Sequence, residues 1–115
     1  PTRGGLAAVL NEFAEAAGCG MLIHEKAIPV RGAVAAACEL LGLDPLYVAN
    51  EGKLVVVCPA EDAERLLAVM RAHPQGRDAA RIGQLTVEPE VCLTTPLGGR
   101  RWLEELAEDP LPRIC

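Results

Sequence analysis

The chain's five cysteines, Cys19, Cys38, Cys58, Cys92 and Cys115, include its last residue. A thiol acts as a nucleophile in its thiolate form, and a free cysteine titrates near pH 8.5, at about that value. At Cys115 the adjoining α-carboxylate raises that value and Arg113 offsets it. Pro110 and Pro112 restrict the preceding backbone and favour an extended arm of about 3 Å per residue. An arm with so few packing residues could carry its terminal thiol to more than one site. The plainer reading is a chain end that happens to finish in cysteine. Prenylation of the CaaX type is excluded, because it needs the cysteine four residues from the end.

The other four cysteines read as packing residues. Cys38 falls on the apolar stripe of a predicted helix, and Cys58 and Cys92 fall in apolar strand segments, where a free thiol behaves as a small hydrophobe. Cys19 lies between two glycines, is expected to be more exposed, and has no assigned task. The count is odd and no pair shows CxxC spacing, which argues against a structural zinc. Wide spacings and the absence of a secretion-like segment argue against a disulfide framework. Reduced thiols in a cytoplasm are the expectation.

Two short motifs could hold or act on a ligand. Thr2-Arg3-Gly4-Gly5 precedes a predicted helix. Glycines at a helix start let backbone N–H groups approach an anion, and Arg3 could add a phosphate contact; an ordinary N-cap at Thr2 explains the same residues. Asn50-Glu51-Gly52-Lys53 is a turn sequence. Facing a reactive group, Glu51 could act as a general base and Lys53 as an anion contact. His24 and His73 have no partner at ligand spacing, so neither receives a role, and no metal site is expected. His73 is read as a helix-end residue and His24 as solvent-facing after a strand. Glu104, Glu105, Glu108 and Asp109 read as a solvated acidic face.

Composition narrows the function classes. The net charge is -5, which leaves no basic surplus for nucleic acid or anionic lipid. Phe13, Tyr47 and Trp102 are the only aromatics, too few to stack a single strand. No apolar run approaches the roughly 20 residues that span a bilayer. Half the residues are hydrophobic, as expected of one folded domain whose core comes from Leu, Val, Ile and Ala. The start at Pro1, without Met, suggests a processed chain or an excised piece.

The elements that must position these residues follow from periodicity. Residues 6–17 read as a helix with Leu6, Leu10, Phe13 and Ala17 on one face and Gly18 at its stop. Residues 21–23 read as a strand. Pro29 opens a second helix, 31–41, with Val34, Cys38 and Leu41 as its stripe and Gly42 at its end. Segments 46–49 and 54–58 read as a hairpin around residues 50–53. A third helix, 60–72, has Ala63, Leu66, Leu67 and Met70 on one face. Segments 82–87 and 91–94 read as strands, and 100–106 is open between strand and helix. This order predicts an α/β (α+β) domain with a mixed sheet flanked by helices.

The terminal Pro112-Arg113-Ile114-Cys115 resembles the C-terminal signature of the HypE family of NiFe-hydrogenase maturation factors, the carbamoyl dehydratases. Three further stretches are similar to that family: residues 2–6 (TRGGL), 27–30 (AIPV) and 43–53 (LDPLYVANEGK). TRGG and NEGK are shared more loosely with the aminoimidazole-ribonucleotide-synthetase-like (PurM-like) superfamily. The resemblance implies a three-layer domain over residues 1–107 and a flexible tail, 108–115. It implies that a carbamoyltransferase, HypF, loads the Cys115 thiol. The carboxamide is then dehydrated with ATP to a thiocyanate, and the cyanide passes to iron on a HypC–HypD scaffold. Glu51 is the implied base, and Thr2, Arg3, Gly4 and Gly5 the implied nucleotide-phosphate contacts. The family's N-terminal domain, which carries most of the ATP and magnesium site and the dimer interface, has no counterpart in these residues. The chain alone is therefore expected to be inactive in dehydration.

Two other classes remain open. One is a docking module whose tail binds maturation partners without chemistry. The other is the C-terminal domain of a related ATP-dependent synthetase, against which the terminal cysteine counts.

Overall fold

The computed structural model describes residues 4–49 and 53–104. Among the described residues, three α-helices and four strands are arranged in the order α1 (Gly5–Ala17), β1 (Gly20–His24), α2 (Gly32–Leu41), α3 (Ala63–Ala72), β2 (Gly83–Thr86), β3 (Val91–Thr94) and β4 (Arg100–Trp102). The strands form one sheet in the order β2-β1-β3-β4. β1 runs antiparallel to β2 and parallel to β3, and β3 runs antiparallel to β4. The predicted mixed sheet with helices is therefore the observed architecture. The segment 100–106, ambiguous in sequence, begins as strand β4.

β1 is an interior strand, flanked by β2 and β3. Met21 and Ile23 are buried and Leu22 is half-buried, while β3 places Val91 and Leu93 beside them. α1 lies across these residues. Its buried face is Ala7, Ala8, Leu10 and Ala14; of the predicted Leu6-Leu10-Phe13-Ala17 stripe, Leu10 is buried and Leu6 packs against the core, while Phe13 and Ala17 do not join it. Small residues let the helix approach the sheet closely, and Leu10, Leu93 and Leu103 fill the space as the largest fully enclosed side chains. The predicted stripe is thereby split. Phe13 and Ala17 instead line an open recess of about 500 Å³ with Ala16, Met21, Val57 and Leu85. Gly18 ends α1 in the left-handed conformation and returns N–H bonds to the last turn, as its sequence signal predicted.

The other helices are peripheral. α2 buries only Cys38, and Val34 and Leu41 of its predicted stripe face outward. Periodicity specified a stripe, but no sheet surface lies under it within the described residues. In α3 the four positions 63, 66, 67 and 70 are half-buried, as the spacing predicts. Residues 60–62 form a 3-10 turn leading into it rather than its first α-turn.

The predicted hairpin is corrected. Pro45–Tyr47 is a one-turn 3-10 helix, not a strand. Proline fixes φ for a helical turn, and the Asp44 carboxylate accepts from the Leu46 amide at 3.0 Å, which closes the turn before an extended chain can start. Residues 53–59 carry no strand assignment, and residues 50–52, the predicted tip, lie outside the described residues. So do Thr2, Arg3 and the predicted tail. No helix among the described residues is long and apolar enough to cross a membrane.

Candidate functional site

Three chain segments meet at one corner of the domain. They are the start of α1, the turn at 44–48, and the end of β4 with the two residues after it. Each adjoins a sequence motif: Gly4 and Gly5 follow Thr2-Arg3, the turn leads toward Glu51, and Leu103-Glu104 leads toward Cys115.

The α1 start is shaped by two glycines. Gly4 caps the helix at φ 67° and Gly5 follows at φ 66°, both in the left-handed region. A Cβ on Gly5 would stand 2.6 Å from the carbonyl oxygens of both Leu46 and Val48. No side chain fits there. The expected cap at Thr2 is replaced by Gly4, which offers no side-chain hydrogen bond. Close packing against the 44–48 turn thus accounts for Gly5 without any ligand.

Leu103, the residue after β4, is fixed from two sides. The Leu103 amide donates to the Val91 carbonyl at 2.9 Å, and its side chain is buried. Its carbonyl accepts from Asn11 Nδ2 at 2.8 Å, while the same amide group donates to the Ala7 carbonyl at 2.8 Å. Asn11 spends both N–H bonds this way, which explains a residue that is a poor helix former within α1.

Ionic contacts join the turn to β4. Arg101 Nη2 donates to Asp44 Oδ2 at 3.1 Å and lies 3.6 Å from Glu25 Oε1. Tyr47 sits half-buried among them. Burial, then the Asp44 charge, push its phenol above the ordinary value of 10.0, and the Glu104 carboxylate adds to the rise. Arg101 and a hydrogen bond from the Glu104 backbone act in the opposite sense. The phenol is neutral at physiological pH and serves as a packing and hydrogen-bonding group.

Of the residues singled out in sequence, Gly4 and Gly5 stand at this corner, and Glu51 and Cys115 lie outside the described residues. Glu104, read as part of an acidic face, belongs to the corner. Asn11, Asp44, Tyr47 and Arg101 were not singled out. Asp44-Pro45 carried a legible turn signal, and Asn11 a legible mid-helix anomaly; Arg101 carried none. Cys38 is buried and Cys19, Cys58 and Cys92 are half-buried, all as free thiols. His24 Nδ1 lies 3.2 Å from Thr94 Oγ1 on the exposed end of β1, and His73 Nδ1 accepts from the Gln75 amide. No group of three or more His, Cys, Asp or Glu side chains among the described residues is placed to hold a metal ion.

Comparison with known proteins agrees with the fold. Residues 1–94 match the family "AIR synthase related protein, C-terminal domain". Carbamoyl dehydratase HypE of Azotobacter vinelandii is 61% identical over the whole chain, which spans only 34% of that protein. The crystal structure of Escherichia coli HypE superposes with a TM-score of 0.93 at 51% identity, covering 99% of this chain and 35% of that one. A HypE structure in complex with ATP superposes at 0.89 with 47% identity, over 96% of this chain and 35% of the other. A HypE–HypF complex gives 0.89 at 42% identity, over 92% and 35%. The chain thus spans about a third of the relatives it matches, and it belongs to the AIR synthase related protein C-terminal domain family.

Proposed function

We propose that this chain is the thiol-carrying C-terminal part of a carbamoyl dehydratase that makes the cyanide ligand of NiFe hydrogenases. The observation that carries this reading is 61% identity to a carbamoyl dehydratase over an alignment that covers the entire chain. Residues 1–107 form the domain and 108–115 the arm. HypF loads the arm, and a HypC–HypD scaffold takes the product; the working protein is a cytoplasmic homodimer.

In the loading step the Cys115 thiol gives up its proton, and its sulfur bonds to the carbamoyl carbon as the donor's leaving group departs. The carboxamide oxygen must then become a leaving group, and ATP supplies the phosphoryl group that makes it one, with ADP released. Two N–H protons are removed, the C–O bond breaks to release phosphate, and a C≡N triple bond remains on sulfur. Glu51 is the proposed proton acceptor, since an ordinary carboxylate is ionised at neutral pH. Thr2, Arg3 and Gly4 are proposed to face the nucleotide phosphates, and Gly5 to hold the α1 start against the turn. Magnesium and most nucleotide contacts are assigned to the N-terminal domain typical of the family. The chain alone should therefore not dehydrate its thiocarbamate.

The test is intact-mass and peptide-mapping mass spectrometry after incubation with HypF, carbamoyl phosphate and ATP. The chain is examined alone and joined to the N-terminal part of the Azotobacter vinelandii relative, beside Cys115→Ala. One carbamoyl group on Cys115, converted to thiocyanate only in the joined protein, is the expected result. No modification of the joined protein at Cys115 rejects the reading. Retained HypF binding without modification would favour a docking module.

A further inference from the structure

The two outer edges of the sheet differ in character. β4 carries Arg100 and Arg101, charges of the kind that keep further strands away. β2, at the other end, has no charged residue in Gly83–Thr86. Near β2 lies the segment 54–58, with the sequence LVVVC; Val57 and Leu85 of β2 line the same apolar recess.

This segment has the side-chain pattern of a strand and none of a strand's bonds. Val55 packs against the core and Val57 lines the recess, while Leu54 is 83% exposed and Val56 51%. Alternate positions thus turn to different sides, as in a β-strand. Its three valines are β-branched and favour extended chain. Yet among the described residues, no backbone amide or carbonyl of 54–58 makes a hydrogen bond. An uncharged, apolar, unpaired run of this kind invites another strand, and folded proteins cover such runs.

We propose that residues 54–57 pair, in the complete protein, with a β-strand from the N-terminal part that the relatives carry outside this chain's span. The chain spans about a third of the relatives it matches, so most of the polypeptide that accompanies this fold lies beyond these residues. A second copy of the chain is a poorer occupant. Four residues paired with their own copy bury far less than the roughly 1,000 Å² that a specific interface needs. A strand of the same polypeptide escapes that requirement, because tethering gives it an effective concentration in about the millimolar range. The inference needs only the membership of residues 1–94 in the C-terminal domain family, not the carbamoyl dehydratase reading.

Hydrogen exchange, followed by mass spectrometry, tests it. This chain alone is compared with the protein in which it follows the N-terminal part of the Azotobacter vinelandii relative. The β3 amides, paired in the sheet, must be protected in both and so report that both are folded. A strand adds its bonds along one edge, so alternate amides are engaged. We expect two of the four 54–57 amides to exchange at least about a hundredfold more slowly in the joined protein than in the chain alone. In the chain alone all four should exchange at nearly the free-peptide rate. Sedimentation of the chain alone across a range of concentrations runs beside this.

The proposal is overturned if the 54–57 amides exchange equally fast in the two proteins. It is also overturned if all four are slowed alike, which is burial without a strand edge. Protection in the chain alone that rises with concentration as a dimer forms would make the occupant a second copy. Neither measurement involves loading of Cys115, so failure of the carbamoyl dehydratase reading leaves the outcome unchanged.

Discussion

Asn11 and Leu103 lie 92 positions apart in sequence, and a 2.8 Å hydrogen bond from the Asn11 amide to the Leu103 carbonyl joins them. The bond links the helix at the start of the chain to the residue at the root of its proposed carrier arm. Leu103 is held by all three of its groups: amide to Val91, carbonyl to Asn11, and side chain in the core. Asn11→Leu should remove both side-chain bonds and leave a part-buried carbonyl unpaired, costing about 1–3 kcal/mol. Asn11→Asp should cost more at neutral pH, because a carboxylate then faces two carbonyl oxygens. Urea denaturation measures both; a midpoint unchanged in Asn11→Leu would show that the bond adds nothing.

Gly5 and Gly18 allow a controlled comparison. Both have φ 66°, so alanine at either meets the same left-handed penalty of about 1–2 kcal/mol. A Cβ at Gly18 meets nothing within 4 Å, whereas at Gly5 it meets two carbonyl oxygens at 2.6 Å. Gly5→Ala should therefore be the more destabilising, by about 1 kcal/mol or more. Equal losses would show that the α1 start moves freely away from the 44–48 turn.

Tyr47 predicts the alkaline limit of this corner. Its phenol is raised above 10.0 in the folded chain, so the folded state binds its proton more tightly than the unfolded state. That stabilisation is complete below the unfolded value and disappears as pH rises through the folded one. Tyr47 should add no pH dependence between about pH 6 and 9, and stability should fall above about pH 10. In Tyr47→Phe that alkaline fall should be shallower. Thermal melts across this range check it, and identical alkaline slopes in the two proteins would contradict it.

The contrast between the predicted and observed elements has physical causes. Helix α3 shows its stripe where spacing puts it, at 63, 66, 67 and 70, because amphipathic periodicity is a local property. α1 was legible as a helix, and Leu6 and Leu10 face the core as its spacing predicts, but Phe13 and Ala17 do not. Phe13 outranks Ala14 in hydrophobicity, yet Ala14 faces the sheet, because closeness of approach selects small residues and no sequence window reports it. The hairpin reading failed at Asp44-Pro45, where a side-chain-to-backbone bond and a fixed φ outcompete β-propensity. The corner itself was only half legible. Its glycines and its neighbouring motifs stand out in sequence, but the Arg101–Asp44 pair joins positions 57 apart and exists only after folding.

Nucleotide binding gives the last prediction. A triphosphate calls for clustered cations or converging N–H groups. Two recesses formed by described residues offer little of either. One is lined by Phe13, Ala16, Ala17, Met21, Val57 and Leu85. The other is lined by Cys58, Asp62, Arg65, Leu66 and Val69, where Arg65 is already bonded to Asp62 at 2.7 Å. Arg101 is likewise engaged by two carboxylates, and the chain carries a net charge of -5. Long-range repulsion of a polyanion adds to the lack of local contacts. Isothermal titration of the chain alone with magnesium-ATP should therefore show no binding tighter than about 1 mM, a standard free energy weaker than about -4 kcal/mol. Micromolar affinity would place a complete phosphate site within these 115 residues and would remove the division of labour proposed between this chain and the rest of the enzyme.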